Sequence, residues 1–197
     1  MTIDGKIGEF SRDDERARAG EPHIIRTGKV QADQGDLPMG LVCTKNADGE
    51  MIPYAEVSAE VLGAGDGSKV TFAATLAAAP AEPGSVTVTD GVETFSDDGF
   101  GRLTGSAGGS GTVNYATGAV SVTFDAAVGN GVDVTADYVT AIDGVLDEPV
   151  DTTRNGSAQY VAFGLVRQDV LKVGATAQAA PDTTLLGRLE KHGIYAS

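Results

Sequence analysis

The chain has 197 residues, a formal net charge of −14, one cysteine, two histidines and no tryptophan. That length suits one domain or two small ones held without disulfides. The acidity excludes nucleic acid as a partner, because phosphate binding needs a basic face, and one cysteine with two scattered histidines excludes a closed zinc site.

Gly, Ala, Val, Thr, Ser and Asp dominate and helical apolar periodicity is scarce, which is the composition of a mainly β chain. Residues 1 to 20 read as an N-terminal arm. Ser11 to Gly20 is almost entirely charged or small, although Ser11 with Asp14 has the form of a helix cap. The arm reads either as a frayed terminus or as a segment that orders only against a partner, in which case Ile3, Ile7 and Phe10 are its anchors. Met1 to Lys6 lacks the apolar core of a secretion signal, and no apolar run approaches the ~20 residues of a membrane span. The expectation is a protein made in a cytoplasm, soluble there, with no membrane partner.

From His23 the signals change to strands. Ile24 to Val30 is a β-rich run, Gly35 to Gly40 a turn, and Leu41-Val42-Cys43 a second strand. Asn46-Ala47-Asp48-Gly49 offers the positive-φ position of a tight turn, predicting a hairpin with Met51-Ile52-Pro53-Tyr54. Cys43 lies in an apolar run and reads as a small buried hydrophobe rather than a nucleophile.

Residues 63 to 139 have a different character. Val70 to Phe72, Val86 to Thr89, Val92 to Phe95, Gly111 to Tyr115, Ala119 to Phe124 and Val132 to Tyr138 are short alternating runs bounded by Gly or Asp. They predict an antiparallel β-sandwich or small barrel with its own core. Val120, Val122 and Phe124 should face one side, and Ala119, Ser121 and Thr123 the other. Gly105 to Gly111 superficially suggests a phosphate loop, but no Lys follows the glycines and no helix begins there, so a flexible hairpin tip is expected. Asp66, Asp90, Asp97 and Asp98 lie in loops where calcium ligands can meet, yet no Asp-x-Asp-x-Asp-Gly loop is present and Asp favours turns by bonding its own backbone.

Past residue 139 the first character resumes. Ile142 to Leu146 and Glu148 to Asp151 lead through the turn Arg154-Asn155-Gly156-Ser157 into a strand from Ala158 to Val166. A short closing helix is predicted, capped by Asp182 or Thr183, with Leu185, Leu186 and Leu189 on its apolar face and Gly193 ending it. His192 reads as a cation near that helix's C-terminus, and neither it nor His23 has an adjacent nucleophile. No catalytic residue, metal ligand or cofactor is assigned.

The segments flanking the insert carry a resemblance. A polar arm, a strand, Gly40-Leu41-Val42, the Asp48-Gly49 turn into Ile52-Pro53-Tyr54, and Ala162-Phe163-Gly164-Leu165-Val166 together resemble the lambda-type head decoration proteins of tailed bacteriophages. The likeness spans residues 21 to 62 and 140 to 197. It implies a discontinuous decoration core of the β-clip kind, with a short C-terminal helix, interrupted by the β-sandwich insert at 63 to 139. It implies also a homotrimer on the outer surface of the capsid in the virion, reinforcing the shell, with no enzymatic activity. The arm of such a protein contacts the major capsid protein, a role that falls here to Ile3, Ile7, Phe10, Arg12 and Arg16. The insert is similar to β-sandwich modules of other phage structural proteins through Gly111 to Tyr115 and Thr117-Gly118-Ala119-Val120. An alternative is a phage tail, spike or receptor-binding module. An exposed aromatic platform on the insert would favour it, whereas most of Phe72, Phe95, Phe100, Tyr115, Phe124 and Tyr138 fall in core patterns.

Overall fold

Alternating apolar and polar residues carry most of the chain into strands, and the computed structural model, which describes residues 16–154, 156–174 and 179–197, is mainly β with one short α-helix. The first strands are β1 (Arg18–Lys29), β2 (Asp36–Leu37), β3 (Val42–Lys45), β4 (Met51–Pro53) and β5 (Glu56–Ala64). Next come β6 (Thr71–Thr75), β7 (Thr87–Thr89), β8 (Thr94–Asp97), β9 (Arg102–Gly105), β10 (Ser110–Asn114), β11 (Ala119–Thr123) and β12 (Asp133–Val139). The last are β13 (Gly144–Leu146), β14 (Val150–Asp151), β15 (Ser157–Val166), α1 (Thr183–Lys191) and β16 (Ile194–Ala196).

One sheet runs β1-β15-β13-β3-β4, and β16 joins it parallel to β15. The ten-residue β15 organises it: Tyr160 and Val161 pair with β13, Gly164 to Val166 pair with β16, and β1 runs antiparallel along the other edge. An apolar cluster lies on each face. One apolar cluster joins Val42, Val145, Val161 and Val166 to Leu185 and Leu189 of α1; a second holds Leu37, Leu41, Cys43, Met51, Leu146 and Tyr160. The predicted cap holds α1, since Asp182 Oδ1 accepts a hydrogen bond from Leu185 N at 2.8 Å. The predicted hairpin joins β3 and β4. Asn46 Oδ1 accepts from Asp48 N and Glu50 N at 3.0 and 2.9 Å, and Gly49 has φ +75°, a value few other residues tolerate.

The second sheet is antiparallel, in the order β5-β12-β7-β8-β9-β10-β11-β6, and nearly closes into a barrel because consecutive β5 and β6 approach each other. Its interior is a separate core in which Phe124 meets Phe72 and Phe95 edge-on, at centroid distances of 5.7 and 4.9 Å. Val120, Val122 and Phe124 point inward while Ala119 and Thr123 are exposed, as alternation predicts.

Several strands go beyond the sequence reading. β2 falls within Gly35 to Gly40, read as a turn, and pairs with β14. β5 joins the barrel from Glu56, seven residues before the expected start at Gly63, because Val57 and Leu62 turn toward the barrel core. β9 falls in the Gly-rich stretch and contributes the buried Leu103. The Ile194-Tyr195 tail forms β16. In addition, β1 starts at Arg18, inside the segment read as an arm.

Candidate functional site

The first described residues, Arg16 to Arg18, are anchored at a built site, the root. Asp147 has a fully buried side chain, and a carboxylate so placed is stable only when paired and hydrogen-bonded. Its Oδ2 accepts from Arg16 Nη1 at 3.2 Å and lies 3.7 Å from Arg18 Nε, while Oδ1 accepts from Arg18 N at 3.3 Å. Backbone bonds complete the root: Ala17 N donates to Asp147 O at 3.0 Å and Arg167 N to Ala17 O at 2.8 Å. Arg16 Nη1 also reaches Glu148 Oε2 at 3.1 Å and Gln159 Oε1 at 3.3 Å. Among the expected arm residues, Ile3, Ile7, Phe10 and Arg12 lie outside the described residues, and Arg16 is held by this chain's own acids. Asp147→Ala should cost about 1–3 kcal/mol, less than a sealed ion pair because both arginines can turn to water. A thermal melt measures the cost, and limited trypsin digestion should cut faster after Arg16 and Arg18.

Next to the root lies an exposed apolar group. Ile24 pairs with Phe163, and Tyr195 with Leu165, which shares a face with Phe163. Ile24, Phe163 and Tyr195 are 51%, 42% and 46% exposed, although large apolar side chains are usually buried. Root and patch are neighbours, because Arg18 pairs with Val166.

The remaining candidates are engaged within the fold. His23 Nδ1 lies 3.1 Å from Gly20 O, and His192 Nε2 lies 3.1 Å from Glu82 Oε1. Cys43 is buried, which pushes its thiol pKa up and keeps it a thiol. The loop aspartates bond their own turns. Asp66 Oδ1 accepts from Ser68 N and Lys69 N, Asp90 Oδ1 from Val92 N and Glu93 N, and Asp98 Oδ1 from Phe100 N and Arg102 N. Asp97 accepts from Gly84 N and Gly99 N and from the Tyr115 hydroxyl at 2.6 Å; burial, then that bond, pushes the phenol up to about 12. Among the described residues, no three His, Cys, Asp or Glu side chains gather to hold a metal ion.

The Gly-rich loop proves to be an anion cradle already filled by the chain itself. The buried Glu93 carboxylate accepts from Gly109 N at 2.7 Å and Ala107 N at 3.2 Å through Oε1, and from Asp125 N at 2.9 Å through Oε2. Side chains at Gly105 and Gly109 would collide with it. The loop expected to be a flexible tip is therefore tied to its neighbours.

No protein-family model, curated protein or solved structure matches this chain. The root escaped sequence reading because Arg16 and Asp147 are 131 positions apart, and Asp147, ahead of Glu148-Pro149, looks like a turn acid.

Proposed function

We propose that this chain is a capsid decoration protein of a tailed phage. In this reading a β-clip core trimerises on the outer surface of the head, the N-terminal arm grips the major capsid protein, and the barrel projects outward. The observation that supports the reading is the root at Arg16 to Arg18, anchored on the buried Asp147 beside the exposed apolar group Ile24, Phe163 and Tyr195. A segment that orders only on docking loses conformational entropy at that moment, and a fixed root limits the loss to the segment itself. The net charge of −14 favours a soluble free subunit. The tail or receptor-binding alternative draws on less: Phe100 is 94% exposed, but Phe72, Phe95, Phe124 and Tyr138 are buried and the half-buried Tyr115 is tied by its hydroxyl to Asp97 and Gly101.

Deleting residues 1 to 15 should leave the free oligomer unchanged in mass and abolish co-sedimentation with expanded empty heads of the phage that encodes the chain. A truncated protein that still saturated those heads would remove the arm from the account.

A further inference from the structure

Two crossings join the six-stranded sheet to the barrel, one through Tyr54 to Glu56 into β5 and one through Val139 to Ala141 out of β12. The crossings are bonded to each other: Thr140 N donates to Ala55 O at 3.0 Å and Thr140 Oγ1 accepts from Ala55 N at 2.9 Å. Ala141 N donates to Pro80 O, on the β6–β7 connection of the barrel, at 2.9 Å. Above this joint the β5–β12 ladder is irregular. It carries two register shifts, and Ala59 sits at φ +54° with its N–H donated to Asp137 Oδ1 at 2.7 Å, the form of a bulge that bends a strand pair.

Helix α1 lies across the joint. Arg188 and His192 are four residues apart and so share a face of the helix. Arg188 Nη1 donates to Tyr54 Oη at 2.8 Å and lies 3.4 Å from Glu56 Oε1, at the start of β5. His192 Nε2 lies 3.1 and 3.2 Å from the two oxygens of Glu82, on the β6–β7 connection. An ionised carboxylate only accepts, so Nε2 carries the proton of that bond.

We propose that α1 is a latch: it fixes the orientation of the barrel on the sheet by gripping the barrel's root through Arg188 and its folded-back connection through His192. Both grips are partly exposed, and polar contacts so placed are weak individually. Together they hold one orientation; released, they leave the barrel turning about the Ala55–Thr140 crossing.

Pulsed electron paramagnetic resonance on the full chain tests this. Spin labels are placed at Thr104→Cys on the outer face of the barrel and Arg154→Cys on the sheet unit, both exposed, while buried Cys43 stays unlabelled. The parent should give one narrow distance distribution, and Arg188→Gln with His192→Gln should widen it roughly twofold, as expected when local restraints on a mobile unit are lost. The exchanged pair Glu82→Lys with His192→Glu should restore the narrow distribution. Equal widths in parent and double variant would mean that the backbone bonds at the crossing alone set the orientation, and failure of the exchange to restore it would remove the His192 grip; either result overturns the proposal. The melting temperature of each variant separates loss of the latch from loss of the fold.

Discussion

Glu93→Ala should cost about 3–5 kcal/mol and lower the melting temperature by about 10 °C, the far end of the barrel loosening first. The carboxylate is buried and takes three backbone N–H groups, from Ala107, Gly109 and Asp125. Those donors belong to the β9–β10 turn and the loop after β11, and Glu93 itself stands between β7 and β8, so one side chain ties several loops together. Alanine leaves the three donors facing a cavity, and an unsatisfied buried N–H is more costly than the net value of the bond it made. Glu93→Gln should fall between: its amide oxygen can serve Gly109 N and Ala107 N, but the amide nitrogen then faces Asp125 N–H, donor against donor. Hydrogen exchange at these amides gives the local readout. Unchanged protection in Glu93→Ala would show that the loops hold without the carboxylate.

Gly40→Ala should be as damaging, and in the other half of the molecule. Gly40 has φ +80°, and a Cβ there would collide with the Val170 carbonyl, a backbone group with little room to yield. The strain spreads along a stitched seam, since Gly40 N donates to Leu146 O, Lys172 N to Gly40 O and Val42 N to Lys172 O, each at 2.9 Å. Moving residues 170 to 172 aside also exposes Leu171, which is buried. The expected loss is about 3–5 kcal/mol, combining a left-handed φ, broken backbone bonds and lost burial. The barrel has its own apolar cluster, so calorimetry of this variant should show an early transition for the sheet unit and a later one for the barrel. A single transition shifted as a whole would mean that the two units unfold together.

What could be read from the chain followed local rules. The Asn46 to Gly49 turn, the Asp182 cap and the alternation at Val120, Val122 and Phe124 each follow from residues a few positions apart, and each is present. β5 was obscured because none of its side chains is fully buried and a bulge at Ala59 breaks its period. β9 has Leu103 alone as an apolar residue, and β16 exists only by addition to β15, a pairing with no local signal. Glu93 was legible in principle. It shares parity with Phe95, which places it on the inward face, whereas Val92 points out and is exposed. The Gly-rich loop looked flexible because glycine counts carry no information about a carboxylate folded in from another strand. The Arg16–Asp147 contact is long-range in the same way.

The central claim is that this chain adds to a preformed shell through a segment delivered from a fixed root. Its most direct test is the mass of the full chain by light scattering, alone and after mixing with expanded empty heads of the encoding phage, followed by sedimentation and proteolysis. The account predicts a free trimer, stoichiometric co-sedimentation, and protection of residues 1 to 15 on the head. A stable free oligomer that leaves the heads bare would contradict it and direct attention to the barrel as a tail or receptor-binding module.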